Sequence, residues 1–160
     1  MRWAATLVVL LSPRLNAQTA ARRLDAPLAP AGCTYLSCAY GIAPAWNGLD
    51  VVNGGDGGRV ASLGFFWPHS VAASFTGNDS ASHYAARALS VRRGAAVFTD
   101  IGALLLGYAA VRQLSGGLHG RDRIAGVAGA GAFAVGVPLQ FSADALLSRA
   151  VWWHNARFAR

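Results

Sequence analysis

The sequence predicts a mainly α membrane protein. It should carry a signal peptide, a small disulfide-containing β-hairpin region, and a two-helix transmembrane hairpin whose helices extend outside the membrane. Three observations carry that prediction. A short apolar run follows a basic start at the amino terminus. A glycine-rich turn separates two short strand-like runs. Two almost uncharged stretches of bilayer length lie close together in the second half. Composition narrows the classes further. A chain of 160 residues holds one compact domain, or a small domain plus membrane segments. It is 54% hydrophobic and 13% charged, with a net charge of +7, and it has neither lysine nor glutamate. That excludes a Lys-rich nucleic-acid arm, a Glu/Lys coiled coil and an acidic disordered tail. The arginines are scattered, so no nucleic-acid partner is expected.

Residues 1–17 read as the signal peptide. Met1-Arg2-Trp3 leads into the apolar run Ala4 to Leu11, Pro13 and Arg14 break it, and Ala17 offers a small residue for cleavage. The run is too short to span a bilayer, which needs about 20 residues. A buried amino-terminal helix is the alternative. Residues 18–32, with Pro27 and Pro30, read as a linker.

Residues 33–78 form the small exported region. Cys33 and Cys38 are the only cysteines, and in an oxidising compartment a local disulfide is the expected state. Free thiols, or lipidation of Cys33, are the alternatives. So short a loop shapes a turn more than it holds a fold. The runs from Gly48 to Val52 and from Arg59 to Phe66 flank Asn53-Gly54-Gly55-Asp56-Gly57-Gly58, a hairpin pattern. A phosphate-binding loop needs a lysine that the chain lacks. A calcium loop needs more carboxylates than Asp50 and Asp56 supply.

Residues 79–112 and 122–158 read as long helices, joined by a loop at 113–121. Asn78, Asp79 or Ser80 can cap the first. Gly94 to Val111 carries only Asp100, and Ile124 to Ala143 carries no charge. Both have transmembrane length, although a pair of buried helices in a soluble bundle passes the same test. Ala95, Thr99, Ala103 and Gly107 recur at steps of four, as do Gly126, Ala130 and Ala134. Such small-residue rows let helix backbones approach closely in lipid. A parallel row runs through Ala128, Ala132 and Gly136.

Asp100 is the ionisable group inside a span, and such groups are functional candidates. Its place near the start of the span also permits a structural role, with Arg92 or Arg93 in reach. A cleaved signal places both ends of the mature chain outside and the loop in the cytoplasm. Arg112, Arg121 and Arg123 in the loop agree with that orientation, but Arg87, Arg92, Arg93 and Arg149 on the other side leave the charge rule nearly silent.

Beyond Pro138, a position that suggests a kink, Leu147, Ala150, Val151 and His154 share one helical face. The extended helix ends should bring Tyr84, Ala85 and Leu89 against Leu146, Ala150 and Trp153. Trp152, Trp153 and His154 are candidates for contact with a partner or with the membrane interface. The run Leu147-Ser148-Arg149-Ala150-Val151-Trp152-Trp153-His154-Asn155 resembles the "LsrAVWxYN" ending of small exported bacterial proteins with two membrane spans, with His154 in the place of the usual Tyr. The element from Cys33 to Ala39 is similar to the start of a subset of them. The resemblance supports this architecture and implies no activity; the expected location is the bacterial inner membrane, with both ends periplasmic on the signal-peptide argument.

The functional expectation is a non-enzymatic envelope interaction or scaffold protein without a cofactor. Its partners would be the lipid bilayer and either a second copy or another membrane protein. An accessory subunit of a transporter, using Asp100, is one alternative. A periplasmic metal or pH sensor is another, if His83 and His154 approach each other.

Overall fold

A computed structural model describes residues 32–117 and 119–158. The expected signal peptide and all of the linker but Gly32 lie outside the described residues. A short helix α1, Tyr35–Cys38, is followed by strands β1, Tyr40–Ala45, β2, Gly48–Asn53, and β3, Arg59–Gly64. A 3-10 turn at Ala72–Phe75 leads into two long helices, α2, Asp79–Gly116, and α3, Gly120–Ala156.

The head begins with a covalent loop. Cys33 and Cys38 are disulfide-bonded, with their Cα atoms 5.6 Å apart. Thr34 caps α1 through a reciprocal pair of bonds with Ser37, so four residues hold a helical turn. The three strands then form an antiparallel sheet in the order β1-β2-β3. The hairpin of β2 and β3 follows the sequence pattern. Its turn is closed by Gly57 N donating to Asn53 O and by Gly58 N donating to Asp56 Oδ1. Asp56 thus serves the turn.

Strand β1 has no sequence counterpart above. Gly41 and Pro44 disguise it, yet Pro44 is tolerated because β1 is an edge strand. The turn into β2 requires Gly48. Its φ is +129°, and a Cβ there would lie 2.3 Å from Leu63 O.

Helices α2 and α3 run antiparallel. With 38 and 37 residues, each is about 55 Å long, well beyond the thickness of a bilayer. Asn78 caps α2 by accepting from Ala81 N at 3.0 Å. The connection is shorter than the expected 113–121. Nothing in that stretch stops α2 before Gly116 and Gly117, both at positive φ. Asp122 then fastens the start of α3, accepting from Tyr108 Oη at 2.8 Å and pairing with Arg112 at 3.4 Å. Pro138 lies inside α3, which continues past it.

The seam between the helices corrects the expected packing rows. The buried positions of α2 include Ala81, Ala85, Ala88, Arg92, Ala95, Thr99 and Gly102; those of α3 include Gly136, Gln140, Ala143, Leu147, Ala150 and His154. Their spacing alternates three and four, the repeat that keeps a stripe facing its partner. A strict step of four overshoots a turn by about 40° and walks off the seam. Ala95 and Thr99 are therefore buried in it, while Ala103 and Gly107 are exposed. Gly126 lies against Ala109, while Ala130 and Ala134 are exposed. The closest approach is made by Gly102, Gly129 and Gly136. A Cβ on Gly102 would lie 2.9 Å from Phe133 N, and one on Gly136 2.7 Å from Thr99 Cγ2.

The core lies between the sheet and the projecting ends of the helices. Val51, Leu63, Val71 and Phe75 from the head meet Ala85, Leu89, Leu147 and Val151. Tyr84, Leu146 and Trp153 pack on its margin, so the expected contact between the helix ends is present.

Candidate functional site

The alternation of the strands sorts the sheet into two faces. Ile42, Val51 and Ala61, directly paired across the sheet, turn inward to the core. Ala43, Asp50 and Ser62, paired one step along, turn outward. Two polar clusters fasten the inner face to the helices, and the outer face carries a crevice.

The first cluster is at the end of α3. Asn155 makes a two-point clasp on β1, its Oδ1 accepting from Tyr40 N at 2.9 Å and its Nδ2 donating to Tyr40 O at 2.8 Å. The His154 ring stacks on Tyr40 with centroids 3.8 Å apart and meets Phe75 edge-on at 5.8 Å. Arg157 approaches His154 Nε2 at 2.7 Å. A guanidinium only donates, so Nε2 is the acceptor toward Arg157; the same nitrogen lies 3.3 Å from Cys38 O, and Nδ1 is buried without a hydrogen-bond partner among the described residues. Burial, helped by the charge of Arg157, lowers the His154 pKa to about 4. Asn78 Nδ2 donates to Trp153 O at 2.9 Å, tying the start of α2 to the end of α3.

These contacts revise the expectation for Trp152, Trp153 and His154. His154 is 2% exposed and belongs to the core, Trp153 is half-buried, and only Trp152 is open to a partner. His83 is exposed beside Tyr84 and does not join His154. Among the described residues, no group of three or more His, Cys, Asp or Glu is placed to hold a metal.

The second cluster was not anticipated. Arg92 is fully buried on the seam. Its guanidinium donates to Gln140 Oε1 and Asp144 Oδ1 and lies over the Phe65 ring, 4.9 Å from the centroid. Sequence reading offered Arg92 to Asp100 instead. Asp100 is half-buried and, among the described residues, makes no hydrogen bond or ion pair. The available signal was a single arginine on a stripe of small residues, which demands a partner across the seam. Phe65 and Phe66 continue past this cluster to line an apolar crevice of about 250 Å³ with Thr99, Phe133, Val137 and Phe141.

The outward crevice has a volume of about 420 Å³. Ala45, Ser62 and Gly64 give it a low floor, and Trp46 and Trp67 stand at its margin, 91% and 70% exposed. Asp50, Asn47, Arg59 and His69 supply its polar groups. Asn47 Oδ1 and Asp50 Oδ1 are buried acceptors without a partner. Arg59 forms no ion pair among the described residues.

Compared with known proteins, the chain matches no family model, no curated protein and no solved structure.

Proposed function

We propose that this is a non-enzymatic membrane protein of the bacterial envelope. A helical hairpin anchors it, and a small head is presented at the bilayer surface for interaction or scaffolding. The supporting observation is where the apolar side chains of α2 and α3 point. Both helices are long and apolar enough to span a membrane, yet their most apolar windows are only 28% and 17% buried. The core helix of a soluble bundle would be mostly covered. Here Ile101, Leu104 and Val111 on α2, and Ile124, Val127 and Val135 on α3, face outward. Lipid is the solvent that accepts such a surface without cost.

The spans on this reading are residues 94–111 and 124–143. The head and the carboxy-terminal end then lie on one side and the helix connection on the other. Asp100 makes no hydrogen bond or ion pair among the described residues, so the accessory-transporter reading gains no support. The topology is tested by single cysteines at Ser115 and at Val60, probed in intact cells with a membrane-impermeant maleimide. Val60→Cys should react at once, and Ser115→Cys only after the membrane is permeabilised. Equal reaction at both sites would reject the topology.

A further inference from the structure

We propose that the outer crevice of the sheet binds the headgroup of an amine-bearing zwitterionic phospholipid, phosphoethanolamine being the simplest. The inference deepens the membrane reading above and rests on it.

The lining is complementary in charge to that headgroup. Asp50 and Arg59 carry opposite charges into the same crevice without pairing with each other. Asp50 Oδ1 and Asn47 Oδ1 are buried acceptors that lack a donor. An ammonium supplies the charge opposite to Asp50, and it gains N–H acceptors where the covered Asp50 Oδ1 and Asn47 Oδ1 turn toward the crevice. The indoles of Trp46 and Trp67 add faces that attract a cation. Arg59 is then left for the phosphate. A neutral sugar would satisfy the acceptors and leave both charges unmatched. An anionic headgroup would meet Asp50. The crevice volume of about 420 Å³ lies within the ~300–1,000 Å³ of small-molecule sites.

Position selects a lipid as the source. The crevice includes Gly64 and Trp67, which flank Phe65 and Phe66 in the chain. Phe65 sits on Arg92, two residues before the first span, and Phe66 shares a crevice with Thr99 and Phe141 inside the spans. This end of the sheet therefore meets the bilayer surface, the depth that tryptophan favours. The aromatic belt is Trp46, Phe66 and Trp67. Trp152 and Trp153 lie about 15 Å further along α3.

The test uses the full chain in dodecylmaltoside micelles. The indole N–H resonances of Trp46 and Trp67, assigned through Trp→Phe variants, are followed as dihexanoyl phosphatidylethanolamine is added. Saturable shifts are expected, with affinity at least ten-fold weaker for dihexanoyl phosphatidylglycerol. Asp50→Asn and Arg59→Gln should each lose at least ten-fold, with circular dichroism unchanged. The proposal is overturned by the absence of saturation or by equal shifts with the glycerol lipid. Undiminished affinity in both variants overturns it too, as does binding of a chito-oligosaccharide or of chain-free glycerophosphoethanolamine where the lipid fails. Alkaline carbonate extraction of wild-type membranes separates the two readings. A chain that stays in the membrane but ignores the lipid defeats only the headgroup site. A chain released by carbonate defeats the membrane reading as well.

Discussion

Arg92 shows how much one residue can organise. A fully buried guanidinium survives because Asp144 and Gln140 take its hydrogen bonds and Phe65 covers its face. Removing one partner should therefore cost more than removing both. Asp144→Ala is expected to lower stability in detergent by roughly 3 kcal/mol, the low end for a broken buried pair because its side chain is still 25% exposed. The double variant Arg92→Leu, Asp144→Leu should lose less. Thermal unfolding followed by circular dichroism compares the two. His154 gives a pH dependence of definite sign. Its pKa falls from 6.5 to about 4 on folding, so the unfolded chain binds the extra proton between these values. Stability should be full above pH 6.5 and decline toward pH 4, by at most about 3 kcal/mol. His154→Phe keeps the ring stack and should flatten the decline in a plot of Tm against pH; an unchanged slope would remove His154 as its source. The cysteine pair and the Asn78 cap were legible in the sequence because each is a local signal. Arg92 and Asp144 are 52 residues apart, and no local pattern joins them until the register of the hairpin is known.

At the scale of the elements, legibility followed periodicity. The hairpin of β2 and β3 declared itself through its glycine turn, and the long helices through their apolar windows. Strand β1 did not, because Gly41 and Pro44 break the alternation and its stability comes from β2 and the Asn155 clasp. The small residues correctly marked close helix packing, but reading them at steps of four carried each row off the seam after its first one or two members. The alternating three-and-four spacing of the buried residues defines the actual seam. One helix provides both arms of a test. Gly136→Ala would place a methyl 2.7 Å from Thr99 Cγ2, whereas Gly131 has nothing within 4 Å. Gly136→Ala should destabilise the hairpin by about 1–3 kcal/mol. Gly131→Ala should leave it unchanged or slightly more stable. Equal effects in thermal unfolding would mean that the seam lies elsewhere.

The whole molecule is a long two-helix hairpin with a small head fastened to one end. The head has too little mass for a large core of its own. It borrows one from the helix ends, through Leu147 and Val151, and is pinned at the Tyr40–Asn155 clasp and through Phe65 on Arg92. Below Arg92 the helices cover each other only along a narrow seam, and their remaining apolar surface faces outward. Hydropathy made that half of the chain visible in the sequence. Helical spacing already set His154 on the buried face with Leu147, Ala150 and Val151, but its stacking on Tyr40 and the outward crevice were not visible, since both depend on which face of the sheet meets the helices. The central claim is that lipid covers the outward surface of the hairpin. Nitroxide labels at Leu104 and Val127, 74% and 75% exposed, test it in vesicles against a label at Val60 in the head. Electron paramagnetic resonance should show Leu104 and Val127 open to molecular oxygen and shielded from a water-soluble nickel chelate, with the reverse at Val60. Equal access of the chelate to all three positions would contradict the account.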